Sequence, residues 1–258
     1  MTTTLALQLA FPGICPVTEA VEKLATQGSI EERGAIYTKR EVVEFILNLV
    51  GFKSNAPLLK FRLLEPSFGH GDFLLPAIDR LLAVAAQENA LSVDQLSQSI
   101  RAVELHRPTF KSTKKLVIAK LRQFGMSFED ANLITENWLL QGDFLLSEFQ
   151  NDFTHIVGNP PYVRQEAIPN VLMAEYRMRY TTIYDRADIY VPFIERSLNL
   201  LTAKGKLGTI CADRWMKNKY GKKLRELVSR DYSLTTYVDM NDVDAFHAEV
   251  SALSLIHI

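Results

Sequence analysis

The chain has 258 residues, 47% of them hydrophobic and 23% charged, an ordinary globular composition that excludes a disordered, collagen-like or disulfide-stapled protein. One α/β domain of this length buries roughly three quarters of its unfolded surface. With 29 basic against 30 acidic residues, net −1, any nucleic-acid-binding surface must be a local patch.

The apolar start has no Lys or Arg before Lys23 and is interrupted by Pro12 and Gly13, unlike a signal peptide or a spanning helix. Cys15 and Cys211, the two cysteines, lack CxxC spacing, which argues against a zinc framework and for a reducing compartment. A cytoplasmic protein with no membrane partner is expected. Residues 1–33 carry a weaker helical pattern and are read as an N-terminal helical appendage, ahead of an α/β domain at 34–252.

From there short apolar runs alternate with longer segments of helical period. Strands are expected at residues 61–64, 100–105, 155–157, 206–212, 235–238 and, more weakly patterned, 252–258. Helices are expected at 40–50, 72–86, 110–123, 128–136, 189–201 and a basic one at 217–229, with Ser92 and Gln95 as a capping box before the second strand. Such alternation argues a mostly parallel sheet covered on both faces. The polar, aromatic stretch 164–186, with Pro169, reads as a functional loop.

Four constellations carry chemistry. Glu65-Pro66-Ser67-Phe68-Gly69-His70-Gly71-Asp72 follows the first strand, with two glycines at a turn that let a ligand approach the backbone. The turn also serves a plain strand-to-helix connection. A nicotinamide site fits less well, since Leu74 replaces the third glycine and the next acidic strand end, Glu104, lies far beyond the usual spacing. Glu104 itself, at the tip of the second strand, can accept from ribose hydroxyls. Asp143 and Phe144, after Trp138-Leu139-Leu140, can bond an adenine amino group and cover its ring, or simply form a turn. The fourth is Gly158-Asn159-Pro160-Pro161-Tyr162. Two prolines stiffen the exit from a strand, so that the Asn159 side chain and the Pro160 carbonyl converge as acceptors beside a planar tyrosine. That arrangement suits a flat molecule with an exocyclic amino group.

The run NPPY, preceded by EPSFGHGDF and by Gly34-Ala35-Ile36-Tyr37-Thr38, resembles the S-adenosylmethionine-dependent adenine-N6 DNA methyltransferases of restriction–modification systems. The resemblance implies a Rossmann-like methyltransferase fold and a cofactor held by Tyr37, Thr38, Glu65, Pro66, Gly69, Gly71, Glu104, Asp143 and Phe144. It implies that Asn159 and Pro160 grip the target amino group, and that Tyr162 and, less closely matched, Phe246 stack on a flipped base. Double-stranded DNA is the expected partner, alongside a cognate restriction endonuclease, fused or separate. NPPY also occurs in RNA and protein-glutamine N-methyltransferases, which stand as alternatives with an inactive nucleic-acid-binding subunit of the same fold.

Between Ala203 and Arg230 nine basic residues face two acidic ones, a local net of +7. Arg164, Arg214, Lys217, Lys219, Lys222 and Lys223 are the candidates for contacts to the DNA backbone. The five histidines show no ligand spacing, so no metal is expected. The final Leu253-Ser254-Leu255-Ile256-His257-Ile258 reads as a translated transposon-end adapter. The native sequence is therefore expected to end near Ala252, before a target-recognition domain.

Overall fold

A computed structural model of the chain describes residues 15–26, 37–88, 92–240, 245 and 253–258. In chain order the elements are α1 (Pro16–Thr26), α2 (Arg40–Leu49), β1 (Leu63–Glu65), α3 (Leu74–Gln87), α4 (Val93–Ser97), β2 (Ile100–Glu104), α5 (Arg107–Gln123), α6 (Phe128–Trp138), β3 (Leu139–Gln141), β4 (Phe153–Gly158), α7 (Asn170–Arg179), α8 (Tyr190–Asn199), β5 (Leu201–Ala212), α9 (Arg214–Lys217), α10 (Lys222–Asp231), β6 (Thr236–Asp239) and β7 (Leu253–His257).

Among the described residues seven strands form one sheet in the order β3-β2-β1-β4-β5-β7-β6. Pairing is parallel from β3 through β5, and β7 lies antiparallel to both β5 and β6. This is the mostly parallel, Rossmann-like sheet that the strand–helix alternation predicts. Successive strand residues feed two cores: Leu63, Ala102, Val157 and Ile210 point into one, and Leu64, Val103, Ile156 and Cys211 into the other. The first core is closed by α2 through α6, the second by α7, α8 and α10, so apolar runs buried on both faces are what the central strands need. Gly208 of β5 permits one close approach. A side chain there would come within 2.4 Å of the Val50 methyl, so the bare backbone lets α2 seat on the sheet.

Several expectations are corrected. Stretch 164–186 is not all loop: α7 occupies its middle, burying Leu172, Met173 and Tyr176. The helical spacing of those residues outweighs the polar composition around them. The basic segment 217–229 is two helices, α9 and α10, separated by a 3-10 turn at Lys219–Gly221. Ser92 caps α4 without a side-chain hydrogen bond, so the capping box is not made. β5 begins at Leu201, five residues ahead of the expected 206, because its exposed first half pairs with Phe153 at the start of β4. β3 is a strand of its own, three residues long, after Trp138 ends α6 by donating its indole N–H to the Leu96 carbonyl at 2.6 Å. Residues 253–257, read from sequence both as a short apolar run and as a tail, form β7.

Candidate active site

β1 sits between β2 and β4, and the chain crosses in opposite directions on either side of it. The crevice at the carboxyl ends of such strands is where open α/β sheets bind ligands. Here it opens as a cavity of 380 Å³ whose wall includes Tyr37, Thr38, Glu65, Pro66, Gly69, Glu104, Asp143, Phe144 and Asn159. Residues from five separate segments of the sequence thus converge on one space.

The turn after β1 has left-handed glycines, Gly69 at φ 50° and Gly71 at φ 91°. At Gly71 a side chain would also press on Leu75 and Thr113, at 3.0 and 3.2 Å. The resulting turn aims the Gly69 N–H at Glu104 Oε2 (2.9 Å), while the His106 N–H donates to Oε1 (2.7 Å). Glu104 is therefore oriented by two backbone donors. Thr113 Oγ1 donates to the Gly69 carbonyl at 2.8 Å and locks the turn from α5.

Glu65, at the end of β1, is 1% exposed. Burial, with the nearby carboxylates of Asp72 and Glu104, pushes its carboxyl well above the ordinary range. Among the described residues its Oε2 finds no hydrogen-bond partner, a costly situation for a buried polar atom unless a ligand supplies one.

Asp143 is buried, accepting from the Leu145 N–H at 2.8 Å and, on the other oxygen, from the Tyr176 hydroxyl. Burial raises its pKa, and the Tyr176 and Leu145 hydrogen bonds oppose that rise. Phe144 lies beside it with its ring 5.0 Å from Phe193, a second aromatic of the wall, and under the Arg196 guanidinium. Neither Tyr176 nor Phe193 is among the sequence-derived candidates. The helical spacing Leu172, Met173, Tyr176 is the signal that places Tyr176 on an inward face. Tyr176→Phe is expected to weaken binding of an adenine-containing ligand about fivefold to thirtyfold, the loss of one hydrogen bond to a charged group at roughly 1–2 kcal/mol. Isothermal titration would measure it.

At the other end of the cavity Asn159 Nδ2 donates to Thr38 Oγ1 at 3.2 Å, and the Thr38 N–H donates to Asp72 Oδ2 at 2.8 Å. The stretch before α2 is thereby tied both to the loop after β4 and to the turn after β1. Tyr37 meets His70 edge-on, ring centroids 5.0 Å apart. His70, read from sequence as a spacer, thus shares the wall with Tyr37. The Lys39 N–H donates to the Ala245 carbonyl at 3.0 Å. Phe246 and Gly34 to Ile36 lie outside the described residues.

Two members of NPPY stand off this wall. Pro160 lines a small adjoining cavity of about 20 Å³ with Ser67, Phe193 and Thr209. Tyr162 is half-buried, donates its hydroxyl to the Ile210 carbonyl at 3.3 Å and packs beside Tyr190, centroids 6.2 Å apart. Burial pushes its phenol well up. Arg164 and Arg214 are exposed and both act on the half-buried Asp188, lowering a pKa that burial raises. Lys217 binds the buried Asp213, and Lys222 lies 3.7 Å from Glu226. Lys219 and Lys223 are exposed. Among the described residues no cluster of His, Cys, Asp or Glu could hold a metal, and no helix is long and apolar enough to cross a membrane.

The profile of the Eco57I restriction-modification methylase family matches residues 79–246. The chain belongs to that family. It is 57% identical over 247 residues to the type II methyltransferase M.PaeR7I of Pseudomonas aeruginosa, covering 95% of this chain and 43% of that protein. It is 49% identical over 223 residues to the type II methyltransferase M.XhoI of Xanthomonas vasicola, covering 85% of this chain and 41% of the relative. The chain spans less than half the length of these relatives. Among solved structures, the M protein of the type I restriction enzyme EcoKI superposes with a TM-score of 0.61 at 14% identity, over 86% of this chain and 43% of that one. A class I S-adenosylmethionine-dependent methyltransferase from Listeria monocytogenes gives 0.59 at 10% identity, over 93% and 64%. This member of the Eco57I methylase family therefore has the S-adenosylmethionine-dependent methyltransferase fold.

Proposed function

We propose that this chain is the catalytic part of a site-specific DNA methyltransferase of a restriction–modification system, transferring a methyl group from S-adenosylmethionine to adenine N6 of a flipped base. The observation that carries the reading is the junction of Asn159 with Thr38 at one end of a cavity whose far end holds Glu104 and Asp143. A target amino group and a nucleoside-bearing cofactor can be held there end to end.

The residues present fit the cofactor. It carries an ammonium and a sulfonium, and the crevice offers Glu65, Asp72 and Glu104, with one buried Glu65 oxygen unpartnered among the described residues. In this reading Tyr37, Thr38 and Glu65 hold the methionine end, the Gly69–Gly71 turn with Pro66 cradles it, Glu104 binds the ribose, and Asp143 with Phe144 holds the adenine. When bound, S-adenosylmethionine supplies an electrophilic methyl group.

An exocyclic adenine nitrogen is a poor nucleophile, because its lone pair is delocalised into the ring. Asn159 and the Pro160 carbonyl, as out-of-plane acceptors, draw the amino group toward tetrahedral geometry and direct the lone pair at the methyl. Thr38 Oγ1 accepts from the Asn159 amide nitrogen, and in this reading the amide oxygen is the acceptor for the target. Forming the nitrogen–methyl bond would break the methyl's bond to sulfur, and the methylated nitrogen would lose one proton to solvent, so that no strong side-chain base is required. Rate comes from alignment and charge stabilisation. Tyr162 and Phe246 compensate the flipped base for lost stacking, on the order of 1–3 kcal/mol per aromatic.

Labelled methyl transfer to duplex DNA, structured RNA and protein, assayed in parallel, tests the reading. Incorporation into N6-methyladenine of DNA is expected, and label in RNA or in a glutamine side chain instead would overturn it. Phosphate contacts are assigned to Arg164, Arg214, Lys217, Lys219, Lys222 and Lys223. The double variant Lys222→Ala/Lys223→Ala is expected to reduce the slope of log K against log salt by about 1.8, two contacts at about 0.9 each. An unaltered slope in a filter-binding titration would remove those two residues from the footprint. Two relatives, RM.Eco57I of Escherichia coli and RM.BcgI of Heyndrickxia coagulans, are each a type II restriction enzyme and methyltransferase. A cognate endonuclease is accordingly the expected partner, fused or separate, and the cytoplasm its place of work.

A further inference from the structure

Helix α1 lies outside the residues assigned to the α/β domain, and the motif roles leave it without a task. Yet Lys23 and Leu24 line the main cavity. The helix packs on α7 and on α5, and Arg107, the first residue of α5, holds the Glu22 carboxylate at 2.7 and 2.8 Å. Ala20 and Ala25 are buried, and Ala20 and Leu24 pack in the core that α7 closes.

The two supporting helices both belong to one end of the site. α5 opens just past Glu104 and puts His106 and Thr109 on the wall. α7 carries Tyr176, whose hydroxyl donates to Asp143. Tyr37, Thr38, Asp72 and Asn159 mark the opposite end. We propose that α1 is a further cofactor-contacting wall, with Leu24 and Lys23 covering the adenosine half of S-adenosylmethionine and the Glu22–Arg107 pair fixing the helix in place. The proposal rests on the cofactor reading above. Leu24 supplies an apolar surface for the nucleoside. Lys23 brings three N–H donors to a wall on which the other Asp, Glu, Lys and Arg side chains are the acids Glu65, Asp72, Glu104 and Asp143, where ribose oxygens and adenine ring nitrogens are acceptors. Since α1 touches the ligand, ligand binding and the stability of α1 are linked.

Titration with S-adenosylhomocysteine and with methylthioadenosine, which keeps only the adenosine half, tests this on the chain and on Leu24→Asp, Lys23→Ala and Glu22→Ala. Leu24→Asp is expected to weaken both ligands about tenfold or more. Lys23→Ala and Glu22→Ala should each weaken both about threefold, as exposed charged groups do. Should Leu24→Asp not fold, Lys23→Ala and hydrogen exchange of the unaltered chain carry the test: S-adenosylhomocysteine should slow exchange in residues 16–26. Unchanged affinities together with unchanged exchange in α1 would overturn the proposal and leave the cofactor reading standing. A parent chain that binds neither ligand overturns both.

Discussion

Asn159→Ala is expected to lower the single-turnover rate of methyl transfer to duplex DNA on the order of a hundredfold to a thousandfold, the effect of deleting one preorganised hydrogen-bonding group from an acyl-transfer site. Affinity for S-adenosylhomocysteine should stay within about threefold, because the groups assigned to the adenosine half are carried by other elements. The asymmetry follows from the connections of Asn159. Its Nδ2 is engaged by Thr38, so the amide is held in one orientation before any substrate arrives. Thr38→Val removes that restraint without removing the acceptor, and a smaller loss, about tenfold, is the expected result. A chain in which Asn159→Ala transfers methyl groups at the parent rate would not use NPPY as assigned here.

Asn159→Ala also separates chemistry from binding, whereas Thr38→Val alters a residue assigned to the methionine end of the cofactor. Thr38 N–H is anchored on Asp72, and that bond survives substitution of the threonine hydroxyl. Neither change unseats the turn that holds Glu104, whose two backbone donors come from Gly69 and His106. A parallel fall in rate and cofactor affinity in Asn159→Ala would therefore mean that the site is coupled as one unit.

How much of this was legible in the sequence differs from residue to residue. The fold follows from periodicity, since strand residues such as Leu63 and Leu64 are buried on opposite faces and force near-continuous apolar runs. Glu65, Glu104 and Asp143 were readable because each closes or follows a strand, and parallel strands place all such ends on one side of the sheet. Tyr176 and Lys23 were not, because they reach the cavity from helices whose own patterns report only the face that packs. Nor does a dipeptide motif fix a side chain's direction. Tyr162 follows the two prolines as expected, but its hydroxyl is drawn to the Ile210 carbonyl on β5, a contact between residues 48 positions apart in the chain. The break between α9 and α10 likewise comes from tertiary packing. Gly221 lies so close to the Trp215 backbone that a side chain there would come within 1.9 Å.

Glu65→Gln should have two opposite effects, on stability and on binding. In the ligand-free protein, burial and the neighbouring acids Asp72 and Glu104 hold the Glu65 carboxyl well above its usual value. Below about pH 4.3, the unperturbed value of the unfolded chain, both states are protonated and the residue imposes no cost. As pH rises the unfolded chain ionises first, so stability is lost progressively until the folded-state value is passed. Glutamine cannot ionise. Glu65→Gln is therefore expected to raise the melting temperature at pH 8 and to leave it nearly unchanged at pH 4, as scanning calorimetry would read. The cofactor's positive charges reverse the preference, since a cation beside Glu65 favours the carboxylate. Binding should then release a proton and tighten as pH rises toward the ligand-free folded-state value. In Glu65→Gln the proton release should vanish and affinity for S-adenosylmethionine should fall about tenfold or more. Titration calorimetry in two buffers of different ionisation enthalpy separates these terms. Proton release that persisted in the variant would assign the titrating group elsewhere, and a melting temperature lowered at pH 8 would mean that Glu65 supports the fold instead of waiting for a cation.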